Sequence, residues 1–142
     1  MFVRDILGSK GDVVTTTTPD TTIGDLANIL AEHRIGAVIV TDPAGDVCGV
    51  MSERDVIAAL AKHGPDCLTH AVETAMTQDV LTCTPDTTIV QLMNQMTERR
   101  IRHLPVIDDG RLAGVVSIGD VVKYRIAEAV QEANQLREYI TA

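Results

Sequence analysis

The chain has 142 residues and 15.3 kDa, which suits one compact domain or two small halves sharing a core, and it needs no disulfides to fold. Twenty Asp and Glu against 12 Lys and Arg leave a formal charge of −8, a poor basis for general binding to duplex nucleic acid or an anionic membrane. One Phe, two Tyr and no Trp offer little for stacking single-stranded bases.

Met1-Phe2-Val3 runs into Arg4-Asp5 without the apolar stretch of a signal peptide, and no apolar run approaches the ~18 residues of a membrane span. Phe2 to Leu7 reads as a short leading helix, Gly8-Ser9-Lys10-Gly11-Asp12 as a polar loop, and Val13 falls in the short extended piece that follows. Thr18-Pro19-Asp20-Thr21 is turn chemistry, and Thr22 with Asp25 is a capping box. The helix behind it carries Leu26, Ile29 and Leu30 on one face. A strand over Ala37–Val40, a turn at Asp42–Gly45, a strand from Val47 to Met51 and a helix starting at Ser52 complete the run. His63-Gly64-Pro65-Asp66 opens a linker, and Ala75–Asp79 then leads almost directly into Val80. The pattern now returns: turn residues at 84–87, a capping box of Thr88 and Gln91, and a helix with Leu92, Met93 and Met96 on one face. Strands over Leu104–Ile107 and Leu112–Val116 follow, around a turn at Asp108-Asp109-Gly110, and a helix starts at Ser117. From Asp120 to Ala142 the pattern stays helical, with Ile126, Ala129, Val130, Ala133, Leu136 and Ile140 at three- and four-residue steps. That segment would be ~34 Å long, more than one small sandwich requires, so part of its stripe is expected on a second chain.

The chain is therefore a repeat. Thr18 to Asp42 aligns without gaps on Thr84 to Asp108, with 13 of 25 positions identical. Gly49 to Val56 matches Gly114 to Val121 beyond a one-residue difference in the turn. One helix–strand–strand–helix unit has too few strands to stand alone. Two such units predict an α+β fold, a pseudo-twofold α/β sandwich with equivalent clefts near its axis and a long C-terminal helix. The expected division is a first repeat with its leading segment over 1–64, a linker over 65–75, a second repeat over 76–125 and a helical extension over 126–142.

Thr-Pro-Asp-Thr-Thr-Ile in both units, the strand Arg102-His103-Leu104-Pro105-Val106-Ile107-Asp108, and Gly-x-x-Ser-x-x-Asp at the strand-to-helix turn resemble a tandem pair of CBS (cystathionine β-synthase) domains of the small free-standing type. The resemblance runs from about Val3 to Arg125. It implies a cytoplasmic regulatory module, with no catalytic domain attached, that binds an adenine nucleotide (AMP, ATP or NAD class) as a regulatory ligand. It also implies disc-like pairing into a homodimer and a regulated protein as partner; the acidic charge and short apolar runs leave no expected role for nucleic acid or membrane, and His63, Cys67 and His70 match no closed zinc spacing, so no metal is expected. In the family the equivalent Asp holds the ribose hydroxyls and the equivalent Ser or Thr lies near the phosphate.

The residues support that chemistry on their own terms. Ser52 and Ser117 stand where a strand ends and a helix begins, where free N–H groups and the helix dipole favour an anion. Asp55 and Asp120, three residues on, can accept two hydrogen bonds from a ribose diol, although Ser-x-x-Asp is equally a capping box. Arg99-Arg100-Ile101-Arg102-His103 is the densest basic stretch, with Arg99 expected as a solvated helix end. Arg102 and His103 align with the small, neutral Gly36 and Ala37, so the clefts should be unequal, one cationic and the other roomy enough for a base. Arg54 takes the place of Gly119, and pairs either with a phosphate or with Glu53 and solvent. Lys10 and Lys123 are weaker phosphate candidates, and Val13 and Val80 border the clefts as the lead-in positions of the two units. Two alternatives stand beside this reading: a redox- or metal-responsive module using Cys48, Cys67 or Cys83 with His63 and His70, and a purely structural dimerisation module. Catalysis finds no footing, for the chain holds neither a phosphate-loop signature nor a Gly-x-Gly-x-x-Gly fingerprint.

Overall fold

In the computed structural model, which describes residues 1–11 and 14–141, twelve short elements follow one another: five α-helices, five strands and two 3-10 turns. The leading helix α1 spans Val3–Lys10. The first unit is β1 (Thr16–Thr17), α2 (Ile23–His33), β2 (Ala37–Thr41), β3 (Val47–Ser52) and α3 (Glu53–His63). The 3-10 turns Pro65–Thr69 and Val72–Thr74 connect it to α4 (Ile89–Arg99), β4 (His103–Asp108), β5 (Arg111–Ser117) and α5 (Ile118–Thr141). The expected elements are all present, with two differences in local structure. Gly8-Ser9-Lys10 is not loop but the last turn of α1, closed by Gly11, whose φ of 92° is open to glycine and whose N–H reaches the Leu7 carbonyl. Met93 is not part of the buried face of α4, which rests on Ile89, Leu92 and Met96.

Each helix start has a local cause. Thr22 Oγ1 accepts from Asp25 N, and Thr88 Oγ1 accepts from Gln91 N while Gln91 returns the bond to Thr88 N. Only the second of these boxes is reciprocal, because Thr22 carries Asp25 without the return bond. β1, β2 and β3 form one sheet, with β1 parallel and β3 antiparallel to β2. β4 and β5 form the other, where a single parallel bridge from Cys83 to Val106 stands in for β1. Val38 and Val40 face one core and Leu104 and Val106 the other, with Ile39 and Pro105 buried between them in sequence on the opposite pleat.

The leads cross over. Val3 and Ile6 of α1 pack into the core of the second unit, with Leu92, Leu104 and Val116. Cys67 and Val72 of the linker pack into the core of the first, with Leu26, Val38 and Met51. Hydrogen bonds repeat the exchange: Val3 N donates to Thr87 O, and Val72 N donates to Thr21 O. Leu7 lies on Gly114 and Met76 on Gly49, and a Cβ at either glycine would collide with the side chain above it. Each unit is thus closed by the segment that leads the other.

Candidate functional site

The starts of α3 and α5 are built alike. Ser52 is extended (φ −106°, ψ 168°), so the first N–H groups of α3 point past its hydroxyl. Asp55 Oδ2 accepts from Ser52 N at 2.8 Å and from Ser52 Oγ at 3.0 Å, and Asp55 N donates to Ser52 Oγ at 3.3 Å. Asp120 Oδ2 accepts from Ser117 N at 2.9 Å, and Asp120 N donates to Ser117 Oγ at 3.1 Å. Both Ser-x-x-Asp motifs are capping boxes in this structure. For both aspartates the side-chain bonds all fall on Oδ2, and Asp55 lines a cleft.

That cleft has a volume of about 480 Å3, within the range of small-molecule sites, and both units build it. The first unit contributes Gly36, Ser52, Glu53, Arg54 and Asp55. The second contributes Thr77, Asp79, Val80 and Leu81 from its lead, and the run Arg99 to His103. Arg100 caps α4 in the left-handed conformation (φ 52°), which turns the chain at once from helix into β4 and keeps the basic run on one wall. Four arginines therefore face Glu53, Asp55 and Asp79, a local excess of positive charge in an acidic chain.

His103 sits where the units meet. A Cβ on Gly36 would stand 3.1 Å from both Cε1 and Nε2 of the imidazole. Burial lowers the His103 pKa from its usual value, and the charges of Lys10 and Arg102 add to this against the opposing pull of Asp120 and Glu53.

Asp120 has other company. Lys10 Nζ donates to Asp120 Oδ2 and to the Val115 carbonyl, each at 2.7 Å. Burial alone would raise the Asp120 pKa, but the hydrogen bonds from Lys10 and the Ser117 N–H outweigh it and hold the carboxyl below its usual value. Asp120 lines neither the 480 Å3 cleft nor a second groove of about 410 Å3 beside α3.

Of the residues singled out in the sequence, Gly36, Ser52, Arg54, Asp55, Val80, Arg102 and His103 converge on the open cleft. Lys10, Ser117 and Asp120 form the second cluster. Lys10, expected in a loop as a phosphate candidate, is instead helical and bonded to a carboxylate. Ala37 is buried in β2 opposite Ser52, and Gly119 is exposed at the start of α5. Lys123 is exposed on α5 and lines neither cavity, and Val13 lies outside the described residues. The expected split between a cationic and a small-residue cleft is corrected: Gly36 shares one cleft with Arg102 and His103, because that cleft is assembled across the axis. Arg99 is no mere helix end, since it lines the same wall. Val50, Glu53, Thr77, Asp79 and Leu81 are additional lining residues, and Arg100 and Ile101 join them from the basic stretch. Adjacency to Arg54 and Val80 is the sequence signal for Glu53, Asp79 and Leu81, and Thr77 and Val50 carry none.

Cys67 lines the second groove with His63 and His70, and neither Cys48 nor Cys83 does. Burial raises the Cys83 pKa to about 11, burial and then the Asp42 charge raise that of Cys48, and Cys67 is fully buried. The His63 and His70 rings lie 6.0 Å apart beside the second groove. Among the described residues no three His, Cys, Asp or Glu are grouped to hold a metal ion, and no helix is long and apolar enough to cross a membrane.

The family model of the CBS domain matches twice, over residues 3–62 and 72–127. The CBS domain-containing protein CBSX3, mitochondrial, of Arabidopsis thaliana is 34% identical over 146 residues, which span 97% of this chain and 71% of that protein. The crystal structure of a CBS-domain containing protein from Agrobacterium tumefaciens shares 50% identity and a TM-score of 0.86, covering 88% of this chain and 99% of that one. The CBS domain pair of the protein MJ0100, solved in complex with 5′-methylthioadenosine and S-adenosyl-L-methionine, is 26% identical with a TM-score of 0.81, over 90% of this chain and 98% of that one.

Proposed function

The chain belongs to the CBS-domain family, as a pair of CBS domains, and from that premise we propose that it is a regulatory, non-catalytic module that binds an adenine nucleotide of the AMP, ATP or NAD class. The observation that carries this is the meeting, in one cleft, of the Asp55 carboxylate on its Ser52 cap with Arg54, Arg99, Arg100 and Arg102. A carboxylate that lines the cleft accepts a ribose diol, and guanidinium groups hold phosphate by charge-assisted bonds. Gly36 and Val80 offer a small, apolar border for the base. The adenosyl ligands of the MJ0100 pair support the nucleoside half of this reading. The arginine wall supports a phosphate in place of the cationic sulfonium found there.

Ligand-dependent conformation or assembly then passes to a regulated protein. Ile57 of α3 and Val122 of α5 are exposed at corresponding places in the two units, with Leu60 and Ile126 exposed on the same helices, which supports a homodimer. Three cysteines kept as free thiols support a cytosolic setting. Calorimetric titration with AMP, ATP, NAD and adenosine is the deciding experiment. Micromolar binding of a nucleotide, tighter than adenosine, is the expected result. Absence of binding by all four would remove the nucleotide reading.

A further inference from the structure

The leads of the two units are equivalent up to one turn of helix. Fifteen residues separate Val3 from Thr18, and twelve separate Val72 from Thr84. Up to Leu7 and Met76 the two paths match, each side chain resting on the glycine of the opposite unit. Beyond Met76 the chain turns extended, and Thr77 exchanges two backbone hydrogen bonds with Val50, at 2.9 and 3.0 Å. Beyond Leu7 the helix continues through Gly8, Ser9 and Lys10. The Val115 carbonyl, the counterpart of Val50, receives the Lys10 ammonium instead of a backbone N–H. The same ammonium reaches Asp120 Oδ2 at 2.7 Å. Asp55 has no ion pair among the described residues and faces an open cleft.

We infer that Lys10 is a built-in occupant of the second nucleoside site: the extra turn of α1 sets its ammonium on the carboxylate that a ribose would otherwise engage, so each chain takes one adenine nucleotide, at Asp55. This rests on the functional reading above, and deepens it by assigning the stoichiometry and the residue that sets it. The ammonium competes with a ribose for the Asp120 carboxylate, neutralises its charge and is tethered at a second point on Val115. A neutral diol has no comparable charge with which to displace it.

The test is titration calorimetry of the full chain with AMP. The wild type is expected to bind one AMP per chain and Lys10→Met two, with Asp55→Asn abolishing binding in the wild type but leaving one site in the Lys10→Met background. Lys10→Arg, which keeps the cation, is expected to return the count to one. Lys10 is exposed and methionine keeps its aliphatic stem, and Lys10→Gln serves as a second variant should the first fold poorly. Two AMP per wild-type chain, or one per chain in both Lys10→Met and Lys10→Gln, overturns occlusion by Lys10 while the nucleotide reading stands. Binding by Lys10→Met alone supports occlusion and overturns the assignment of the open cleft. No binding by any of these proteins overturns both.

Discussion

Asp55 and Asp120 occupy the same place in the two repeats, but Asp55 lines the arginine-walled cleft while Asp120 is bonded to the Lys10 ammonium. The Asp120 carboxyl is held below its usual pKa of about 3.9, so its pair with Lys10 adds stability above that value and loses it as pH falls through the lower, folded-state value. Both side chains keep contact with water, which limits the pair to ~0.5–1 kcal/mol. Thermal melts of wild type and Lys10→Met should therefore differ by about 1–4 °C at pH 7 and converge as pH falls through the lowered folded-state value. His103 runs the other way in charge but not in direction: a lowered histidine pKa means that stability falls as pH drops below about 6.5, and His103→Gln should flatten that limb of the melting profile. Arg102 faces the phosphate end of the proposed ligand. Arg102→Ala should weaken AMP and ATP at least tenfold and leave adenosine nearly unchanged, as read by calorimetry. A similar loss for all three would return Arg102 to the role of surface charge.

At the scale of elements, the repeat made most of the fold legible. Alignment of Thr18–Asp42 on Thr84–Asp108 located α2, β2, α4 and β4 together, because turn residues, caps and apolar periods recur in the same order. Periodicity misplaced Met93, since a three- and four-residue step marks a face without saying how wide the covering surface is. It also ended α1 too soon: Gly8 and Ser9 are weak helix formers, and the turn that contains them is held by a Lys10 contact 110 residues away in sequence. For the same reason the capping motif was visible and the unequal state of its two copies was not. The crossing of the leads has a measurable consequence for stability. Ile6 is 3% exposed, inside the core of the unit it does not belong to. Ile6→Ala should cost ~2–4 kcal/mol and lower the melting temperature of both units together, in one transition. Two separate transitions would show that the crossing does not couple the halves.

For the whole molecule, the open question of surface lies along α5. Val122, Ile126, Val130, Leu136 and Ile140 leave half or more of their surface exposed, and Ile57 on α3 repeats the feature in the first unit. A stripe of this extent on a chain of net charge −8 is unusual for a surface that stays in water. Sedimentation equilibrium at micromolar protein should show a dimer. Ile57→Arg with Val122→Arg should yield a folded monomer, and truncation after Arg125 should weaken the dimer if the far end of the helix contributes. A wild-type monomer would leave the stripe to a different partner.

The crossed leads also set an order in time. Residues 1–10 leave the ribosome first, yet the groups that fix α1 include Val116 in its core and Asp120 beneath Lys10. At roughly 5–20 residues per second, α1 waits between about 5 and 20 seconds for the chain that completes its seat. The first unit has its strands early but lacks the linker residues Cys67 and Val72 until its own helices have already emerged. Synthesis therefore closes the first unit before the second, and the earliest helix docks last, as a latch whose final turn places Lys10 on Asp120. A fragment of residues 1–80 would hold Cys67 and Val72 for the first core but leave α1 without Val116 and Asp120, open to a protease that the finished protein resists.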